Sequence, residues 1–245
     1  MTILGIDSAI PEASVALVEN GAVLAEERHT ALSYTGGPGS GKIPSNHAEI
    51  ILPLIETLFA KTHSTIQQLS GIAVSIGPGS FTGLRIGLAT AKGLAYQSGV
   101  PLVGVSTLHA NAARVGHVDA VIGSMLDARK SEVYIALFRS TCGKLVRITD
   151  DAVMPIDSAI ELLKDHAETL ILTGDGARAH ERRLADALGT AVRIVSGARC
   201  HSSVAAEVAR LGAAQLTSVG RDGGGALAPT YLRLAEAEFK RKNFL

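Results

Sequence analysis

The chain has no tryptophan, only two cysteines and no surplus of either charge. Each absence excludes something. Cys142 and Cys200 are not spaced as a C-x-x-C pair, so neither a disulfide framework nor a cysteine-based zinc knuckle is available, which suits a reducing compartment. Lys plus Arg number 23 and Asp plus Glu number 23, and this balance argues against a dedicated nucleic-acid binder, which carries a basic excess. The one compact basic run, Lys240-Arg241-Lys242, reads as a solvated tail. No apolar run approaches the ~18–20 residues that span a bilayer. The opening MTILGIDSA reaches Asp7 without the basic start of a signal peptide. The expectation is a cytoplasmic protein without membrane contact. Its 245 residues suffice for one large domain or two small ones.

What is present is a plan told twice. Ile3–Asp7, Ser14–Glu19 and Ala22–Arg28 read as three short strands, with a hairpin signal at Glu19-Asn20-Gly21. A helix over Asn46–Lys61 follows, then strand Gly71–Ser75, helix Thr82–Gln97, strand Leu102–Val105 and a helix opened by Ser106. The second half begins again with strands Ala120–Leu126, Glu132–Arg139 and Leu145–Thr149. Helices Ile156–Lys164, Ala177–Leu188 and Ser203–Leu216 then alternate with strands Thr169–Thr173 and Val192–Val195. Three antiparallel strands followed by α/β units is the ribonuclease-H-like plan. The expected fold is therefore α/β, two tandem ribonuclease-H-like domains with mixed sheets, as in the actin and sugar-kinase superfamily. The division is expected at 1–107 and 108–245.

The most conspicuous motif misleads. Gly36 to Lys42 spells G-x-x-x-x-G-K, the start of a phosphate-binding P-loop. Such a loop needs a buried strand before it and a helix after it, so that backbone N–H groups can cradle phosphate. Here His29–Thr35 is polar, the magnesium-binding position is Ile43, and Pro44 biases Ile43 away from helical geometry. Tyr34–Ser45 therefore reads as a glycine-rich surface insertion.

A better-placed loop is "SIGPGSFTGLRIG", Ser75–Gly87, which follows an apolar strand and opens a helix. Around it lie "ILGIDSA" (Ile3–Ala9), "HAEIILPLI" (His47–Ile55), "GPGSFTGLRIGLATAKGLA" (Gly77–Ala95), "PLVGVSTL" (Pro101–Leu108), "LDARKSEVYIA" (Leu126–Ala136) and "PTYLR" (Pro229–Arg233). Together these resemble the TsaB family, formerly YeaZ, from one end of the chain to the other. The Tyr34–Ser45 insertion is longer and richer in glycine than the resemblance leads one to expect. The resemblance implies a non-catalytic scaffold and activating subunit with two actin-like domains. Its partner would be a TsaD-like paralogue, which transfers threonylcarbamoyl to adenosine 37 of tRNAs reading codons that begin with A. It further implies a TsaE-like ATPase in the assembly, a homodimer when the chain is alone, and tRNA contact only through the complex. No cofactor is required by this chain, and ATP or ADP and a metal belong to the partner subunits.

The residues agree on the absence of metal chemistry. The catalytic paralogue holds its metal with histidines four residues apart on one helix face, the spacing a metal needs. Here His47 is followed four residues on by Ile51. Remnants of a nucleotide site are expected at Asp7 and Ser8, at Gly77, Gly79 and Arg85, and at Gly174 and Gly176 of "TGDGA". The bland alternatives are a strand-end carboxylate, tight turns and an exposed arginine. "CHSS", Cys200–Ser203, reads as a helix N-cap rather than a catalytic set.

The positive signal lies in the two helices of the first half. Ile50, Ile51, Leu54 and Leu58 belong to an apolar stripe wider than one sheet needs. Pro53 is expected to kink that helix. Gly83, Gly87 and Ala91 recur every four residues, a groove into which another helix could pack, with Leu84 beside it. By the resemblance, these residues form the partner interface; packing on the chain's own sheet is the competing reading. The runner-up function is an independent actin-fold ATPase or metallopeptidase, and ATP or metal binding by the chain alone would discriminate it.

Overall fold

A computed structural model describes residues 1–30, 47–116, 118–166, 170–189, 192–195, 202–219 and 227–232. The chain divides into two compact units. The first comprises Met1–Arg114 and Cys200–Pro229; the second, Val115–Arg199 and Thr230–Leu245. The expected break after residue 107 is thus corrected. The helix opened by Ser106 stays with the first unit, and that unit takes back the last long helix. Burial explains both shifts: Leu108 and Ala110, and later Val204 and Val208, are core residues of the first unit.

In the first unit, strands β1 (Thr2–Asp7), β2 (Glu12–Glu19), β3 (Ala22–Thr30), β4 (Gly71–Gly77) and β5 (Leu102–Ser106) form a sheet of order β3-β2-β1-β4-β5. The first three strands pair antiparallel, and β4 and β5 run parallel to β1. Helices α1 (His47–Thr62) and α2 (Phe81–Ser98) cover one face. On the other lie α3 (Thr107–Ala113) and, from the returning segment, the helix Val204–Val219. Covered on both faces, β1 reads as a nearly unbroken apolar run: Leu4 and Ile6 point into one core and Ile3 into the other. The Tyr34–Ser45 insertion lies outside the described residues.

The second unit repeats the plan. Strands β6 (Ala120–Asp127), β7 (Glu132–Thr141), β8 (Lys144–Arg147), β9 (Ala152–Pro155), β10 (Leu170–Thr173) and β11 (Arg193–Val195) give the order β11-β10-β6-β7-β8. Here the third strand is divided: β8 pairs with Phe138–Thr141 of β7, and β9 with Glu132–Ile135. Helices α4 (Ile156–Lys164), α5 (Asp175–Ala179) and α6 (Glu181–Leu188) pack on this sheet. The single helix expected over Ala177–Leu188 is broken at His180, whose φ of −113° and ψ of 17° leave helical geometry. The last helix, α7, is Val204–Val219; Ser203 caps it by accepting the Ala206 N–H at 3.0 Å, as the "CHSS" motif led one to expect of its serines.

Candidate functional site

Two regions of the first unit hold residues singled out by sequence: the outer helix pair and the C-terminal end of β1. In the helix pair, the expected interface residues turn inward. Ile50, Ile51, Leu58, Gly83, Leu84, Gly87 and Ala91 are all buried in the chain's own core, and Leu54 is half-buried against it. All but Leu54 therefore offer little or no exposed surface in the chain by itself, in keeping with the competing reading that they pack on its own sheet. The reason is geometric: α1 packs on β2 and β3 and also on α2, so two of its flanks need apolar cover. The stripe is wide because it serves two neighbours within the chain. α1 also runs through Pro53 without interruption.

What α1 and α2 present outward is different. Leu52 is 48% exposed and Tyr96 is 93% exposed. Ala89, Lys92 and Gly93 are also exposed on α2. Apart from its chain neighbours and the adjacent turns of α2 backbone, no atom of the described residues lies within 4 Å of where a Cβ on Gly93 would sit. Sequence reasoning missed Leu52 and Tyr96. The available signal was position: Tyr96 stands three residues after Gly93, on the same helix face. Arg85, one of the expected nucleotide-site remnants, lays its guanidinium over the Phe81 ring at 3.7 Å.

At the end of β1, Asp7 is wholly buried. Burial pushes its carboxyl up to about 6, against the Ser75 hydroxyl, the Ala9 N–H and the Arg114 guanidinium, which favour the charged form. The Ala9 N–H reaches Asp7 Oδ1 at 3.4 Å. Ser75 stands near enough to favour the anion, yet neither its Oγ nor Asp7 Oδ2 completes a hydrogen bond among the described residues. Arg114 itself is buried and donates from Nε to the Ser202 carbonyl at 2.9 Å. Ser8 turns to the opposite side and donates to the Gly83 carbonyl at 2.8 Å.

In the second unit, the Asp127 N–H donates to Asp175 Oδ1 at 3.3 Å. Burial, and then the neighbouring Asp127, raise the Asp175 pKa above the usual carboxylate range. Gly174 adopts a φ of 102°, and a Cβ on Gly176 would lie 2.6 Å from the Leu126 carbonyl carbon. The close approach that Gly176 permits is therefore to the chain's own strand β6. Among the described residues no three His, Cys, Asp or Glu side chains gather as a metal set. No helix among them is long and apolar enough to cross a membrane.

Comparison with known proteins gives this geometry a context. The family "TsaD: tRNA N6-adenosine threonylcarbamoyltransferase" matches residues 22–219. The chain is 34% identical over 240 residues to the tRNA threonylcarbamoyladenosine biosynthesis protein TsaB of Bacillus subtilis (strain 168), across 98% of this chain and 97% of that one. The chain belongs to the TsaB family. A tRNA N6-adenosine threonylcarbamoyltransferase of Solidesulfovibrio magneticus is 38% identical, over only 47% of the TsaB-family chain and 33% of its own length. Among solved structures, a Pseudomonas aeruginosa protein described as similar to peptidase YEAZ superposes with a TM-score of 0.75 at 25% identity. That match spans 95% of this chain and 99% of the other. The doubled strand order, together with this match, establishes the tandem ribonuclease-H-like fold of the TsaB family.

Proposed function

We propose that this TsaB-family chain acts in the biosynthesis of threonylcarbamoyladenosine in tRNA as a non-catalytic subunit. It would hold a TsaD-like catalytic subunit on the outward face of α1 and α2. The observation that carries this reading is the exposure of Leu52 on α1 and Tyr96 on α2, with open space beside the α2 backbone at Gly93 among the described residues. Glycine costs a helix ~1 kcal/mol relative to alanine. The described residues give no packing reason at this position, and a second helix crossing close to the backbone would supply one. Tyrosine is also the kind of residue that anchors interfaces. The absence of a second histidine supports a non-catalytic role: four residues after His47, the position is Ile51, buried in the core.

ATP or ADP and a metal would then act at the TsaD-like and TsaE-like subunits, and tRNA would meet the chain only within the complex. A homodimer of the chain alone would use the same face.

Light scattering on size-exclusion fractions tests this. The chain mixed with the TsaD-like subunit from the same source is expected to give a one-to-one complex that displaces any homodimer. Leu52→Asp and Tyr96→Ala are each expected to weaken the complex about tenfold or more, with melting temperature little changed. Unchanged affinity in both variants overturns the interface. Saturable ATP or metal binding by the isolated chain would favour an independent ATPase or metallopeptidase instead.

A further inference from the structure

Three contacts and two steric limits converge on Ser8 and Ala9, the first two residues after β1. The Ser8 hydroxyl, itself buried, donates to the carbonyl of Gly83 in the first turn of α2 at 2.8 Å. The Ser80 N–H, at the N-cap of α2, donates to the Ala9 carbonyl at 2.7 Å. The Ala9 N–H turns back to Asp7 Oδ1. A Cβ on Gly79 would lie 2.4 Å from the Ala9 carbonyl oxygen, and one on Gly87 would lie 2.3 Å from Ser8 Oγ. Helix α2 is therefore held at both of its first two turns by one short turn of chain, with no room for an added carbon at either.

We infer that the Ser8–Ala9 turn is the seat of α2, with Ser8 a positioning residue that sets the height at which α2 presents Ala89, Gly93 and Tyr96 to a partner. The inference rests on the proposed α1–α2 interface and deepens it. A methyl group at position 87 must either rotate the Ser8 hydroxyl off the Gly83 carbonyl or lift the helix from the sheet. Both routes disturb the outer face by way of Ser8. The outer residues themselves are untouched, because Gly87 is buried on the opposite side of the helix.

A double-mutant cycle on partner affinity tests this, using the full chain and the TsaD-like subunit, with the melting temperature of every variant recorded. Gly87→Ala is expected to weaken binding about tenfold in the wild-type background and less than about twofold in a Ser8→Gly background, where the colliding hydroxyl is gone. The same loss in both backgrounds overturns the inference, as does an affinity that simply follows melting temperature across the four proteins. Leu52→Asp is measured alongside. If it binds as tightly as wild type, the α1–α2 interface itself fails and the inference falls with it. If it abolishes binding while Gly87→Ala has no effect, only the seat is overturned. Should Gly87→Ala fail to fold, Ser8→Ala takes its place. Its expected result is weaker binding together with faster hydrogen exchange in the first two turns of α2, and unchanged binding overturns the inference.

Discussion

Leu58→Asp is expected to leave no cooperatively folded chain. Leu58 is fully buried between α1 and the first sheet, among Leu4, Val15, Leu17 and Ile72. Truncating such a leucine to alanine costs about 2–5 kcal/mol. A carboxylate in its place adds the cost of burying a charge with no partner. A total above ~5 kcal/mol consumes most of the ~5–15 kcal/mol by which domains are stable. Far-ultraviolet circular dichroism and a thermal melt check this, with Leu52→Asp as the contrast. Leu52 lies one and a half turns earlier on the same helix but faces outward, so its variant should melt like wild type. A native spectrum and normal melting for Leu58→Asp, with only partner binding lost, would show that Leu58 belongs to an interface after all.

Asp7→Asn is expected to do the opposite and stabilise the chain at neutral pH. The folded-state pKa of about 6 lies above the ordinary 3.8 because burial disfavours the anion. The folded state therefore holds the proton more tightly than the unfolded one. The stabilisation from that proton is complete below about pH 4 and is lost as pH rises through 6. At pH 7.5 the ionised Asp7 costs the fold up to about 3 kcal/mol, and an asparagine of the same shape avoids most of that. Chemical denaturation of both proteins between pH 4 and 8 reads the effect. The stability difference should be small near pH 4 and grow to about 1–3 kcal/mol at pH 7.5. Taking the difference matters, because other carboxylates titrate the other way. Burial acts upward on Glu26, but the Ser203 N–H and Arg28 outweigh it and hold its pKa below the usual range. Its stabilisation is therefore present above its unfolded pKa and fades in acid. A constant difference from pH 4 to 8 would mean that Asp7 does not titrate in this window.

The architecture was legible because alternation and punctuation are local. β1, β2 and β4 were placed to within two residues, α4 was placed without error, and the N-caps at Ser106 and Ser203 stood where the sequence put them. β9 was missed, since Ala152–Pro155 is four residues with no alternation of its own and pairs with the half of β7 whose edge away from β6 would otherwise lack a partner. The helix break at His180 was missed for a similar reason, as no glycine or proline marks it. The larger error concerned the site. An apolar stripe states how much surface a helix must bury, not whether the neighbour belongs to the same chain. For Ile51, Leu58 and Ala91 the neighbour is internal. The outward face was carried by Leu52 and Tyr96, isolated apolar residues among polar ones, which periodicity treats as noise. Asp7 was singled out as a remnant of a nucleotide site, but its raised pKa comes from complete burial, against the pull of Ser75 and Arg114, and burial of that kind is set by residues far apart in sequence.

The returning segment has a consequence for how the chain acquires its structure as it is made. One face of the first sheet is closed by α7: Gly5 lies against Ala205 and Gly212 against Ala73, each too close to admit another carbon. During synthesis, that face has only α3 over it until the 85 residues Val115–Arg199 of a different unit have emerged. The inserted unit owes nothing of its own sheet to α7 and can fold first. A fragment ending near Arg114 would hold every strand of the first sheet yet expose Ile3, Ala73, Val103 and Val105 to water, an aggregation-prone surface rather than a domain. The first unit is thus begun first and closed only after most of the second has been made.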